Sequence, residues 1–454
     1  MNINKKEIYG VVYTSKKLVD EILDLIPIKY YSDPSLKWLD IGAGNGVFCI
    51  NLYNRLYINL KNKIKDDEKR KNHIIKNMIY MIEILEEHVK NLRYEFGNNA
   101  NIIHGDYLKL ENNKLNKYNF IIGNPPFNSN GLIKTPTNIN KNKVDDGRAI
   151  YKDFVIKSID LLNNEGYLNL IIPSLWLKPD KYRLYNILTN MKIIKLVCMS
   201  SSKTNKLFNY KAQTPTCYFL IQKKKDDNNN KNNFLIYDNI NNDYIEYNLL
   251  NNFAIPTNGI NIINKLLKYV NKYGYINVNK TSTISNKSKI SNIKDVSFNY
   301  TNIKTCILEK NLYPKLIYNY SNNELKYNNI PKIILANKMY GFPFFDISGI
   351  YGISTRDNYI ISNNNNNLNE LNEIYHFLST KFSLFIFSTT NYRMRLLEKY
   401  AFEFLPNIIK IENFPKLINL NRENRDKKIY EFLNLSENEI NYIEKYSKDY
   451  KFFI

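Results

Sequence analysis

A short strand, a glycine turn and the beginning of a helix are predicted by Trp38-Leu39-Asp40-Ile41-Gly42-Ala43-Gly44-Asn45-Gly46-Val47-Phe48. The three glycines would let a ligand approach the backbone closely. Their spacing differs from the dinucleotide pattern Gly-x-Gly-x-x-Gly, because the third glycine arrives one residue early and Asp40 precedes the turn. The segment therefore predicts an open α/β sheet with a ligand at its edge, and a nicotinamide cofactor is the weaker interpretation.

A second predicted strand, residues 118–123, ends in Asn124-Pro125-Pro126-Phe127, which suits chemistry on an amine. Acceptors on the N–H groups of a planar amine localise the nitrogen lone pair, and the Asn124 side-chain oxygen and the Pro125 carbonyl are two such acceptors. The prolines carry no backbone N–H, and Phe127 offers a face for stacking on a flat base. Asn-Pro and Pro-Pro also occur in ordinary turns, so the motif depends on the preceding glycine turn for its meaning.

In this order the two motifs resemble the S-adenosylmethionine-dependent DNA adenine-N6 methyltransferase family, with its catalytic half first. The resemblance is specific over residues 11–224. It implies an α/β fold, a Rossmann-like class I methyltransferase domain whose mostly parallel seven-stranded sheet ends in a hairpin. A mixed α+β target-recognition domain follows in this family. We therefore expect domains at residues 1–225 and 235–454, with an asparagine-rich linker at 226–234.

The resemblance also implies which residues form the site. The catalytic residues would be Asn124, Pro125, Pro126 and Phe127. The cofactor S-adenosylmethionine would be held by Tyr13, Thr14, Asp40, Gly42, Gly44, Gly46, Glu83, Asp106 and Asn124. No metal site is expected, because the four cysteines form no Cys-x-x-Cys pair and the four histidines are scattered.

The cofactor assignments have structural alternatives. In the N-terminal segment Ser15 stands where the family has proline, and either Thr14 or Ser15 could simply cap a helix with an apolar stripe at Leu18, Ile22 and Leu25.

The carboxylates that would bind the ribose hydroxyls and the adenine amine of the cofactor are also open to other interpretations. Glu83 is the candidate for the ribose, but Glu86 and Glu87 lie close by, and the connection over residues 52–76 is unusually long. Asp106 is the candidate for the adenine amine, and an aspartate after glycine is also common in turns.

Residues 151–162 have the apolar spacing of a helix, and three strands are predicted at residues 167–173, 193–198 and 217–222. A polar loop at residues 128–148 would lie beside the target pocket. In the second half, aromatic and basic residues alternate in Lys338-Met339-Tyr340 and Tyr392-Arg393-Met394-Arg395, which suits contacts to phosphates and bases. Ser436 and Glu439 have the spacing of a capping box.

The composition favours a polyanionic partner. The formal net charge is +21, and lysines bind nucleic acid by displacing condensed counterions. The abundance of Asn, Lys, Ile and Tyr is also typical of proteins encoded by A+T-rich genomes, so the charge supports nucleic acid without establishing it. No apolar run approaches the roughly 20 residues of a membrane span, and no signal-peptide core is visible. We expect an intracellular protein, cytoplasmic or in a viral replication compartment.

The expected activity is methylation of the N6 amine of adenine in duplex DNA, by direct in-line attack on a base extruded from the helix. Methylation at cytosine C5 is disfavoured, because it needs an attacking thiolate and no cysteine follows a proline in a catalytic loop. The motif also occurs in enzymes that methylate RNA bases, at adenine N6 or guanine N2, and protein glutamine. A nucleic-acid-binding protein without catalysis is a further alternative.

Overall fold

The structure is a computed structural model that describes residues 14–129, 149–180, 183–210, 212, 214–224, 233–284, 288–337, 342–362, 367–393, 396–447 and 451. Its contacts divide the chain into two units, Met1–Tyr237 and Asp238–Ile454. The observed boundary lies beyond the predicted one, because Leu235 and Ile236 pair with Lys195 and Leu196 of the first unit. Most of the predicted linker, residues 225–232, lies outside the described residues.

The first unit is built on one sheet flanked by helices. Its strands are β1 (Trp38–Asp40), β2 (Ile79–Glu83), β3 (Asn101–His104), β4 (Tyr118–Gly123), β5 (Leu162–Pro173), β6 (Lys192–Met199), β7 (Thr216–Gln222) and β8 (Asn233–Asp238). Its helices are α1 (Lys16–Leu23), α2 (Val47–Asn59), α3 (Asp67–His73), α4 (Glu86–Phe96), α5 (Tyr151–Leu161), α6 (Leu184–Asn190) and α7 (Ser201–Leu207). Helix α3 and a π-helical turn, Ile74–Met78, account for the long connection before β2.

The strand order confirms the predicted fold class. Within this unit the order is β3-β2-β1-β4-β5-β7-β6-β8. Strands β1 to β5 run parallel to one another, whereas β7 is antiparallel to both β5 and β6 and so forms the expected terminal hairpin. Strand β8, which the sequence did not predict, adds to the edge by pairing in parallel with β6.

An aromatic row joins the central strands. Trp38, Phe120 and Tyr167 occupy paired positions on β1, β4 and β5. Their rings stack, with centroids 4.0 Å apart for the first pair and 4.9 Å for the second. Burial of rings of this size is a large hydrophobic contribution, so these residues hold the central strands in register.

Helix α1 packs against this sheet as its apolar pattern predicts. Ser15 is the N-cap, since its hydroxyl accepts a hydrogen bond from the Leu18 N–H, and Leu18, Ile22 and Leu25 are buried. On the sheet side, the buried Asn169 amide of β5 donates to the Ile22 carbonyl at 3.0 Å. The N-terminus of α1 therefore has a defined position in the first unit.

The second unit is mixed α+β, as predicted. Its strands are β9 (Asp243–Asn248), β10 (Asn279–Lys280), β11 (Ile290–Ser291), β12 (Tyr300–Leu308), β13 (Pro314–Ser321), β14 (Lys332–Ala336), β15 (Pro343–Asp346), β16 (Gly352–Ile353) and β17 (Asn358–Ile361). Its helices are α8 (Ile260–Tyr273), α9 (Leu368–Leu378), α10 (Lys381–Ser388), α11 (Arg422–Phe432) and α12 (Glu437–Ser447).

Two four-stranded sheets, β10-β17-β14-β15 and β11-β13-β12-β16, share an apolar cluster in this unit. The buried members of the cluster are Ile303, Ile334, Ile353 and Ile360, with two from each sheet. The capping box before α12 is confirmed, because Ser436 and Glu439 exchange side-chain to backbone hydrogen bonds.

The predicted aromatic and basic segments of the second unit are only partly described. Residues 338–340 and 394–395 lie outside the described residues. Tyr392 is fully buried, and its hydroxyl donates to the Ile255 carbonyl at 2.6 Å. It is therefore a core residue and not a contact for bases, because its hydrogen bond and its ring are both used inside the unit.

In the described part of the chain, no helix is long and apolar enough to cross a membrane.

Candidate active site

Three neighbouring parallel strands bring the predicted motifs to one edge of the first sheet. Asp40 ends β1, Glu83 ends β2, and Gly123 ends β4 directly before Asn124. Strand β1 lies between the other two, with Asp40 paired to Met81 on one side and to Ile122 on the other. The carboxyl edge of such a sheet is where an open α/β fold binds its ligand.

Two carboxylates hold the glycine turn. The Gly42 N–H donates to Asp40 Oδ1 at 3.1 Å, and the Gly44 N–H donates to Glu83 Oε2 at 2.7 Å. Gly44 has a positive φ of 55°, which favours glycine. A Cβ at Gly42 or Gly44 would meet no atom within 4 Å, so the turn borders open space. At Gly46, by contrast, a Cβ would lie 2.8 Å from Leu92 Cδ2, so this glycine permits packing against α4.

Asp40 lies beneath the turn and is 1% exposed. Burial raises its pKa from 3.8 to about 7, although hydrogen bonds from the Gly42 N–H and the Cys49 thiol oppose the shift. Because Asp40 is buried, it supports the turn, and it would affect cofactor binding through the conformation of that turn. The Cys49 contact, at 3.5 Å, was not predicted from sequence.

The raised pKa of Asp40 leads to a prediction about stability. Ionising a buried carboxyl destabilises the folded state, so its contribution is most favourable below pH 3.8 and is lost as the pH rises towards 7. Asp40→Asn removes this titration but keeps an oxygen for Gly42. We expect the free energy of unfolding of the variant, relative to wild type, to rise between pH 4 and pH 8 by up to about 4 kcal/mol.

Urea denaturation at a series of pH values measures this difference. The carboxyls of Asp426 and Glu403 also have raised pKa values, about 6 and about 7, but they titrate in both proteins and cancel in the comparison. Parallel stability profiles for wild type and Asp40→Asn would contradict the assignment.

Glu83 is 6% exposed and serves several donors. Besides the Gly44 N–H, its carboxylate accepts from the Leu85 N–H at 2.8 Å, and His88 Nδ1 lies 3.4 Å from Oε1. The alternative carboxylates Glu86 and Glu87 are exposed in the first turn of α4, where negative charge stabilises the positive end of a helix. The buried His88 was missed by the sequence analysis, because no motif links it to the strand end.

The backbone just before Asp106 is hydrogen-bonded to the backbone of Glu83. Asp106 follows β3 and Gly105, whose N–H donates to the Glu83 carbonyl at 2.9 Å. Its own carboxylate accepts from the Leu108 N–H at 3.0 Å and lies 3.6 Å from Lys109 Nζ. The turn chemistry that the sequence left open is therefore present, and the residue is also at the same sheet edge as Glu83.

The Asn124 side-chain amide makes a hydrogen bond through its nitrogen but, among the described residues, not through its oxygen. Its Nδ2 donates to Thr14 Oγ1 at 3.0 Å, across 110 positions of the chain. Its Oδ1 is buried, and none of the described residues provides it with a hydrogen-bond donor. Eight other asparagine Oδ1 atoms among the described residues are also buried without a donor, so what distinguishes Asn124 is its position at the carboxyl edge of the sheet, where an open α/β fold binds its ligand. The neighbouring Tyr13, predicted for the cofactor site, lies outside the described residues.

The rest of the motif forms a wall beside Asn124. Pro125 is buried, while Pro126 and Phe127 are half-buried. The Phe127 ring lies edge-on to Phe208 with centroids 6.3 Å apart, and its carbonyl accepts from the Ile150 N–H at 3.0 Å. Phe127 and Ile150 flank the polar loop that the sequence predicted beside the target pocket. Residues 130–148 of this loop lie outside the described residues.

These features fit a nucleoside-containing cofactor next to a planar amine. The glycine turn borders open space, Glu83 and Asp106 lie at adjacent strand ends, and Asn124 presents an acceptor. Among the described residues, no group of His, Cys, Asp or Glu side chains could hold a metal ion.

Comparisons with known proteins agree with this geometry. The family profile of the Eco57I restriction-modification methylase matches residues 45–208. An uncharacterized adenine-specific methylase of Mycoplasma pneumoniae is 25% identical over 304 residues, covering 49% of this chain and 68% of its own length. The type II methyltransferase M.BstVI of Geobacillus stearothermophilus is 28% identical over 243 residues, covering 47% of this chain and 42% of its own length.

Among solved structures, the M protein of the type I restriction enzyme EcoKI is 18% identical, with a TM-score of 0.39, covering 50% of this chain and 48% of that one. The chain thus spans less than half the length of M.BstVI and of the EcoKI M protein. The segment that matches the methylase family, residues 45–208, contains Glu83, Asp106 and Asn124. The sheet around them has the strand order β3-β2-β1-β4-β5-β7-β6 with β7 antiparallel, as the sequence analysis expected for a class I methyltransferase domain.

Proposed function

We propose that this protein uses S-adenosylmethionine to methylate the N6 amine of adenine in DNA. The observation that carries the proposal is the buried Asn124 Oδ1, an acceptor without a donor at the carboxyl edge of the sheet. The N6 amine of adenine has two N–H groups and is a poor nucleophile, because its lone pair is delocalised into the ring. An acceptor placed in advance stabilises the positive charge that develops on this nitrogen during transfer.

S-adenosylmethionine would supply a methyl group bound to a positively charged sulfur, so no covalent enzyme intermediate is needed. The residues that would hold it are the turn at Gly42 and Gly44, Glu83 and Asp106. Glu83 would be shared between the Gly44 N–H and the ribose hydroxyls, since one carboxylate has about four acceptor positions. Asp40 would keep the turn in the conformation that leaves this space open.

The motif residues would bind the target base. Asn124 Oδ1 and the Pro125 carbonyl would each accept one N6 hydrogen, and Phe127 would stack on the ring. Because N6 is paired inside duplex DNA, the base must leave the helix before the amine can reach Asn124. Holding amine and methyl donor in line converts a bimolecular reaction into one within a complex, which accounts for much of the expected acceleration.

DNA is the proposed partner for two reasons. The two relatives are named as an adenine-specific methylase and a type II methyltransferase, and the matching family is named as a restriction-modification methylase. The net charge of +21 also suits a polyanion, whose condensed counterions are released on binding. We assign target recognition to the second unit, which follows the methylase domain and has its own core. A DNA substrate would place the protein in the compartment that holds the genome.

The test is to incubate the purified full chain with S-adenosylmethionine and, in parallel, mixed-sequence duplex DNA or total RNA. Mass spectrometry of the digested nucleosides then measures the product. N6-methyladenine from DNA alone is the expected result. A methylated nucleoside from RNA alone would overturn the proposed substrate but keep transfer to an amine. Cofactor binding without either product would favour a protein glutamine substrate.

A further inference from the structure

The side chain of Asn124 can occupy its site in two orientations, which differ by a half-turn of the amide. In one orientation Oδ1 faces the site and can accept a hydrogen from the target amine. In the other, Nδ2 faces the site and presents two donors to an amine that is itself a donor. Only the first orientation can bind and activate an amine, so the residue that selects it affects the reaction.

Thr14 contacts the nitrogen half of the Asn124 amide. Its Oγ1 accepts the hydrogen bond from Asn124 Nδ2 at 3.0 Å, and Oδ1 is left buried without a donor among the described residues. The reversed amide would let the Thr14 hydroxyl donate to Oδ1, but it would place both N–H groups where none of the described residues provides a hydrogen-bond partner. Unpaired buried N–H groups are rarer in proteins than under-used carbonyl oxygens, so the observed orientation is favoured.

The position of Thr14 is fixed by well-packed structure. It directly precedes Ser15, the N-cap of α1. Helix α1 is anchored to the sheet by Asn169 and to α2 by Arg55, which lies 3.1 Å from Asp20 and 2.6 Å from Asp24. A hydroxyl held at the end of an anchored helix can restrain the amide with little freedom to move.

We propose that Thr14 is a positioning residue that holds the Asn124 amide with Oδ1 towards the target amine. The inference rests on the proposed function and adds a role for Thr14 that its assignment to the cofactor segment did not include. It places the residue that orients the catalytic amide outside the Asn-Pro-Pro-Phe motif.

The experiment compares Thr14→Val, which keeps the shape but loses the hydroxyl, with Thr14→Ser, which keeps the hydroxyl. Steady-state methylation of DNA gives kcat and KM, and calorimetry gives the Kd of S-adenosylmethionine. We expect Thr14→Val to lower kcat by about 10- to 100-fold, as the amide loses its preference for one orientation. KM and the cofactor Kd should change by less than about threefold, and Thr14→Ser should restore kcat to within about threefold of wild type.

A matched control is Thr189→Val, because the Thr189 hydroxyl donates to the Tyr185 carbonyl within α6. It should leave kcat unchanged. Thermal unfolding of all variants separates catalysis from stability. A purely structural role of Thr14 would lower Tm without lowering kcat at a nearly unchanged KM. Normal kcat in Thr14→Val, or no recovery in Thr14→Ser, would overturn the inference while the proposed function stands. If wild type methylates no DNA, the proposed function fails and this inference fails with it.

Discussion

Asn124→Ala should lower the rate of methyl transfer to DNA by about 10²- to 10³-fold. The substitution removes the buried Oδ1, which in the described residues has no donor and is therefore available to the amine. The loss falls on the transition state, because the amine acquires positive charge only as the methyl group moves. Single-turnover measurement with saturating DNA and cofactor reports this chemical step directly.

The affinity for S-adenosylmethionine should change by less than about threefold in the same variant, because the glycine turn, Glu83 and Asp106 remain. Asn59→Ala is the matched control, since the Asn59 amide donates to the Arg55 carbonyl within α2 and so makes a hydrogen bond away from the site. It should retain wild-type activity. Full activity in Asn124→Ala would refute the assignment of Asn124 as the amine acceptor.

Gly123→Ala should destabilise the first unit and weaken the cofactor site together. Gly123 has a φ of +134°, and a Cβ there would lie 2.9 Å from Asp40 Oδ1, the oxygen that accepts the Gly42 N–H. Backbone strain and the steric contact each cost about 1–3 kcal/mol, so we expect the free energy of unfolding to fall by about 2–6 kcal/mol. Displacement of Asp40 should also raise the Kd of S-adenosylmethionine by about tenfold or more.

Gly97→Ala separates the two causes. Gly97 also has a positive φ, +81°, but a Cβ there would meet no atom within 4 Å. Its substitution should cost only the backbone strain, about 1–3 kcal/mol, and leave cofactor affinity unchanged. Urea denaturation and calorimetric titration of both variants provide the measurements. Equal effects on cofactor affinity at the two positions would show that the Asp40 contact is unimportant.

The class of fold was predictable because its signals are local. Short apolar segments separated by a glycine turn and by helical spacing indicate a parallel sheet, and the predicted hairpin corresponds to β6 and β7. The prediction agrees less well with the structure where strand pairing depends on residues that are distant in sequence. Strand β8 joins the sheet through two residue pairs with β6, and no periodicity in its sequence indicates which edge it would join.

The chemistry of the site divides in the same way. The identity and order of the glycine turn and Asn-Pro-Pro-Phe were enough to indicate transfer to an amine, because those side chains have few other uses in that arrangement. The pKa of Asp40 could not be predicted, because desolvation depends on complete burial. Tyr392 was misjudged for a similar reason, since an aromatic residue beside arginine has the same sequence pattern in a core as on a surface.

Sequence alone was sufficient for the α/β class and the motif order, and for proposing Asn124 as the amine acceptor, because each depends on residue type and on neighbours along the chain. The tertiary structure decided which partners these residues have. It joined Glu83 to Gly44, and it placed the Thr14 hydroxyl against the Asn124 amide across 110 positions. Such hydrogen bonds follow from how the strands and α1 pack, and packing is a property of the folded chain that no local pattern encodes.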